Sequence, residues 1–132
     1  MSKVSKFEEL EVWQEARAFA IRIFEITHDA AFPKDFGYIN QINNAAGSIM
    51  DNIAEGFERN GRKEFIQFLS ISKGSAGEVR SQIYRGFDRK YFSEFVFTVQ
   101  IDTIERISKK LSNFISSLNN RLHPGFKYKD RK

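Results

Sequence analysis

The stretch "SIMDNIAEGFERNGRKEFIQFLSISKGSAGEVRSQI", Ser48 to Ile83, decides the fold of this chain. Before Asn60-Gly61, the apolar residues Ile49, Ile53 and Phe57 recur at four residues. After it, Phe65, Phe68, Leu69, Ser72, Ala76, Val79 and Ile83 mark a second face at helical spacing. Two helices joined by so short a break must run antiparallel. Glycine at Gly61 is expected to take the left-handed conformation that closes the first of them. The same stretch carries a row of Ser, Asn and Glu and two glycines, Gly74 and Gly77, inside the second helix. Those small and polar residues pack helices or subunits, touch a ligand, or catalyse, and the rest of the sequence weighs the three.

Ser75-Ala76-Gly77-Glu78 fits a capping box, so a new helix could begin there. Each interior glycine also costs about 1 kcal/mol relative to alanine. A turn would reset the apolar phase, however, and the phase holds from Phe65 to Ile83, which favours one continuous helix. Glycines in such a helix allow another backbone to approach closely. On the wheel Gly74 and Gly77 lie off the main stripe, which points to a neighbour from another chain.

Outward from the hairpin, the helix before the break starts near Tyr38, with Ile39, Ile42 and Ala46 extending its seam to Arg59. Upstream, Pro33, Asp35 and Gly37 form a connection, and a first helix runs from about Phe7 to His28. Its apolar residues, Val12 to Ile26, cover roughly 160°, more than the 100° or so that one core stripe needs. This helix is expected to touch more than its own bundle. Downstream, Gly86 and Asp88 end the third helix, and Ser93 is the expected N-cap of a fourth. That helix repeats Phe97, Ile101, Ile104, Ser108, Leu111, Ile115 and Leu118. The expected architecture is all-α, an up-down-up-down four-helix bundle over residues 1–118, followed by a basic, flexible tail at 119–132.

The chain has 132 residues and no cysteine, so disulfides and thiolate metal sites are excluded. No apolar run approaches the roughly 20 residues that span a bilayer, and the first residues lack the apolar core of a secretory signal. A cytoplasmic protein without a membrane partner is expected. The net charge of +4 is unevenly placed: residues 58–90 carry eight basic and four acidic side chains, while residues 1–32 carry four and six.

Candidate chemistry is sparse. Glu25-Ile26-Thr27-His28 is an E-x-x-H unit, but di-iron bundles use it twice, and the other histidine, His123, lies in the tail. Glu55 and Glu78 have no histidine or nucleophile beside them, and no phosphate-binding glycine loop is present. Glu55 is expected to pair with Arg59 at i+4, and Glu78 to accept from nearby Ser or Asn groups. No catalytic residue, metal or cofactor is expected, and the chain reads as a non-enzyme. Along the helix of the opening stretch, Gln41, Asn44, Ser48, Asn52, Glu55 and Arg59 form a strip. Asn and Ser are poor formers of an exposed helix face, so the strip points to hydrogen-bonded structural contacts. The basic set Arg59, Arg62, Lys63, Lys73, Arg80, Arg85, Arg89 and Lys90 could meet phosphates, and in a symmetric oligomer several such patches would act together.

"FEELEVWQEA", "FPKDFGYINQ", "SIMDNIAEGFER" and "KEFIQFLSISKGSAGEV" together resemble the bacterial four-helix bundle proteins encoded in intervening sequences of 23S ribosomal RNA genes. The similarity runs from Phe7 to about Leu118. Its most specific block is Asn52-Ile53-Ala54-Glu55-Gly56, followed by Phe68-Leu69 and Gly74-Ser75. The resemblance implies a non-enzymatic bundle that assembles as a ring, a homopentamer. It also implies kinship with the accessory protein of diversity-generating retroelements, which binds a reverse transcriptase and nucleic acid through a basic surface. RNA or DNA, or alternatively a protein partner, is therefore expected. Ser48, Asn52, Glu55, Gly56, Gly74, Ser75, Gly77 and Glu78 form the packing motif. One departure is Asn43 and Asn44, where family members often carry a basic pair. It moves any phosphate contact toward Arg59 and the residues after it.

Overall fold

A computed structural model describes residues 4–120. A short 3-10 turn, Phe7–Glu9, precedes four helices: α1 (Glu11–Thr27), α2 (Phe36–Glu58), α3 (Arg62–Asp88) and α4 (Glu94–Asn119). The first helix is thus shorter than its apolar period suggests. Leu10 is extended (φ −74°, ψ 124°) and separates the turn from α1. The basic tail expected at 119–132 falls, from residue 121 onward, outside the described residues.

Each helix packs on the next, and α4 closes back on α1. Contacts fix the antiparallel register. Between α2 and α3, Tyr38 Oη donates to the Gln82 carbonyl (2.6 Å) and Ser72 Oγ to the Ile49 carbonyl (2.6 Å). At the far end of that pair, Gly56 lies against Phe65 and Phe68. Between α3 and α4, Phe65 meets Phe114 at one end and Phe87 stacks on Phe97 at the other. Asn43 Nδ2 donates to Thr27 Oγ1 (2.9 Å) and ties α2 to α1. Lys110 of α4 holds Glu11 (2.7 Å) and Glu15 of α1. The core is almost wholly apolar, with Phe19, Ile23, Ile42, Ile49, Ile53, Phe57, Phe65, Leu69, Ile83, Ile104, Ile107 and Leu111 fully buried.

Helix α3 runs unbroken through Gly74 and Gly77, so the capping-box break does not occur. The hairpin turn, however, is closed differently from expectation. Asn60 takes the left-handed conformation (φ 63°), while Gly61 is extended (φ −151°) and serves as N-cap of α3. Asparagine tolerates that region better than most residues, which frees the glycine for the cap, where the Glu64 carboxylate folds over it. Ser93 caps α4 as expected, accepting from Val96 N–H (3.1 Å). Asp35 caps α2, accepting from Tyr38 N–H (3.2 Å).

Candidate nucleic-acid interface

The packing motif resolves into two groups. Ser48 Oγ lies 2.9 Å from Ser75 Oγ across the α2–α3 seam. Asn52 Nδ2 donates back to the Ser48 carbonyl (2.8 Å) and hydroxyl (2.9 Å). These half-buried polar groups satisfy one another, which is why poor helix formers stand on that face. Gly56 belongs with them, because a Cβ there would lie 2.6 Å from the Phe68 Cβ. Gly74 and Gly77 do not: a Cβ on either meets nothing within 4 Å. No close backbone approach within the chain explains these two glycines. The one that sequence reasoning missed is Gly86, where a Cβ would strike Tyr38 Oη and the Phe92 ring. Its position beside the aromatic end of α3 is the only signal the sequence offers.

Glu55 accepts from Arg59 (2.9 Å), as its spacing predicts, with both side chains half exposed. Glu78 accepts from Gln82 (3.4 Å), not from Ser or Asn, because Gln82 is the residue one turn further along α3. Gln41 accepts from Arg85 (3.1 Å), and Asn44 is exposed.

The eight basic residues do not form one patch. Arg59 pairs with Glu55 and lies over the Phe68 ring, 5.0 Å from its centroid. Arg62 Nη1 donates to the Leu118 carbonyl (2.6 Å), so this side chain caps the C-terminal end of α4. At the opposite end of the bundle, Arg85 lies over Tyr38 (5.3 Å) and Arg89 pairs with Asp35 (3.3 Å). There the phenol of Tyr91 donates to Asp35 Oδ2 (2.7 Å). That bond, then the Tyr38 N–H and the two arginines, holds the Asp35 carboxyl below its ordinary range. The same bond holds the Tyr91 phenol above its own. Burial keeps Tyr38 protonated well past the usual tyrosine range. Lys90 is exposed and itself left-handed (φ 64°), closing α3. Lys63 is exposed near the hairpin turn.

What the fold does gather is Lys73 and Arg80 of α3 with Lys109 of α4, which sequence reasoning did not single out. They line a groove of about 380 Å³ between the two helices, with Gly77, Ser108 and Ser112. Its acidic member, Glu105, is held by Arg80 at 3.1 Å. The missing side chain at Gly77 leaves room for a ligand between the cations. Lys109 was legible only once the register of α3 on α4 was known.

The E-x-x-H pair is used locally. Glu25 pairs with Arg22 (3.5 Å), and His28 stacks on Phe24 with ring centroids 3.9 Å apart. Among the described residues, no three His, Asp or Glu side chains converge as metal ligands. No described helix is long and apolar enough to cross a membrane.

These features define an all-α four-helix bundle in which each helix packs on its sequence neighbours, with a polar α2–α3 seam and a basic α3–α4 groove. The family model for the 23S rRNA-intervening sequence protein matches residues 8–113, and the chain belongs to that family. No curated protein matches it. The fold is similar to a crystal structure from Bacteroides thetaiotaomicron VPI-5482, a protein of unknown function from the S23 ribosomal protein family. The TM-score is 0.72 at 24% identity, over 80% of this chain and 95% of that one.

Proposed function

We propose that this protein is a cytoplasmic, non-enzymatic bundle that assembles into a homo-oligomeric ring, a pentamer, and associates with RNA or ribonucleoprotein. The observation that carries the reading is the α3–α4 groove, where Lys73, Arg80 and Lys109 surround the open space over Gly77. Ammonium and guanidinium groups beside serine hydroxyls suit phosphodiester oxygens, and such contacts supply most sequence-independent affinity. Repetition of the groove around a ring would add avidity. Lys63 and Lys90 are exposed at opposite ends of α3, whereas Arg62 is committed to α4.

The test is fluorescence anisotropy of single-stranded RNA across a salt series, with multi-angle light scattering for the assembly mass. Binding should weaken steeply with salt, and Lys73→Glu with Lys109→Glu should reduce both affinity and salt slope. Salt-insensitive binding, or binding that the double variant leaves intact, would sink the reading. Arg62 is not used, because its substitution would unseat the end of α4.

A second reading, a protein-interaction scaffold, is favoured by the exposure of Ile21 (51%), Phe24 (54%) and Phe95 (77%). Recovery of one stoichiometric protein partner without nucleic acid would support it over the first.

A further inference from the structure

A second groove, of about 370 Å³, separates α1 from α4 and carries a polar group that the fold leaves unused. Ala18 and Val99 make its exposed apolar surface above the buried Phe19, and Gln100 lines it. Gln100 is only 3% exposed; none of the hydrogen bonds among the described residues uses its amide, whose polar atoms are not among the fully buried unpaired ones and so reach the solvent of the groove. An amide that meets only groove solvent offers a donor and an acceptor that a ligand can take over. The residues at the border add charge. Arg22 comes from α1 and Arg106 from α4. Each is tied only to an exposed carboxylate on its own helix, Glu25 at 3.5 Å and Asp102 at 3.4 Å. Exposed ion pairs of this length contribute little, so either arginine can exchange its partner for a better-placed carboxylate. Glu15, also at the groove, is neutralised by Lys110.

We propose that the α1–α4 groove is a binding site for a short acidic peptide segment of a partner protein. An apolar side chain would lie on Ala18 and Val99, a main-chain amide would pair with Gln100, and carboxylates would bridge to Arg22 and Arg106. A peptide group offers the N–H and C=O that a glutamine amide matches, and guanidinium forks suit carboxylates. The apolar surface between the two arginines favours a peptide over a nucleic-acid backbone. This site shares no residue with the α3–α4 groove, so the failure of RNA binding leaves it standing.

The test is selection of short random peptides on the full chain, followed by calorimetry with the enriched sequence. Enriched peptides should place Asp or Glu beside Phe, Leu or Ile. Gln100→Leu should weaken binding about tenfold, as should Arg106→Ala, an exposed position whose change leaves the fold intact. Circular dichroism and assembly mass should not change. Absence of an acidic–apolar consensus, or affinity indifferent to Arg106→Ala, would overturn the proposal. So would displacement of the peptide by a single-stranded oligonucleotide, or a fall in assembly mass on Arg106→Ala. The former would make this a nucleic-acid groove and the latter a subunit contact.

Discussion

Gly56 of α2 sits so close to Phe68 of α3 that an added Cβ would lie 2.6 Å from the Phe68 Cβ and 3.1 Å from the Phe65 ring. The obstacle is the root of a side chain on a packed helix, not a movable tip. Gly56→Ala is therefore expected to destabilise the bundle by about 1–3 kcal/mol through overpacking, read by urea unfolding. Gly74→Ala, with nothing within 4 Å, should stabilise the helix by up to about 1 kcal/mol. A loss of assembly mass on Gly74→Ala would instead place a neighbouring subunit's backbone against it.

Ser72 is fully buried and gives its hydroxyl proton to the Ile49 carbonyl at 2.6 Å. Ser72→Ala should cost about 1 kcal/mol, the net worth of such a bond. A cycle built on Ser48→Ala and Ser75→Ala should show a coupling of about 0.5–1 kcal/mol, since those hydroxyls face each other directly. Strict additivity would mean that the seam is held by packing alone.

Lys90 closes α3 at φ 64°, with its N–H bonded to the Phe87 carbonyl (2.9 Å) and the next N–H, of Tyr91, to the Gly86 carbonyl (2.8 Å). This is the Schellman pattern with a lysine where glycine is usual. Lys90→Gly should raise stability by about 1 kcal/mol, because the left-handed conformation costs a side-chain-bearing residue that much. Asn60→Gly should gain less, since asparagine already tolerates the conformation. Thermal unfolding of the two variants checks the order.

Asp35 receives the Tyr91 phenol, the Tyr38 N–H and the Arg89 guanidinium. Its carboxyl is thereby held below its unfolded value of about 4. The contribution to stability is present above that pH and is lost as pH falls through the lower folded value. Asp35→Asn should flatten the acid limb of the stability–pH curve. Tyr91→Phe, which removes the largest cause, should flatten it partly. An unchanged acid limb in Asp35→Asn would show that other carboxylates carry it.

Much of the fold was legible because it is written in local periodicity. The stripes of α2, α3 and α4, the Ser93 cap and the Glu55–Arg59 pair all depend on residues within one or two turns of each other. The misjudged points depend on something else. Whether Asn60 or Gly61 goes left-handed is set by which of them must also cap α3. Within the chain, Gly56 and Gly86 meet close neighbours from residues far along the sequence, and Gly74 and Gly77 face open space.

For the basic residues the division is sharper. Their number and sign are properties of the sequence, and the sequence by itself determined a helical bundle with an excess of positive charge in residues 58–90. Only the packing of α3 on α4 decided that Arg62 would cap a helix and that Lys73 and Arg80 would meet Lys109, and only its packing on α2 that Arg85 and Arg89 would serve the α2 end of the bundle. Helix formation is governed by neighbours in sequence, whereas the partner of a long cationic side chain is whatever the register of two packed helices brings within its reach.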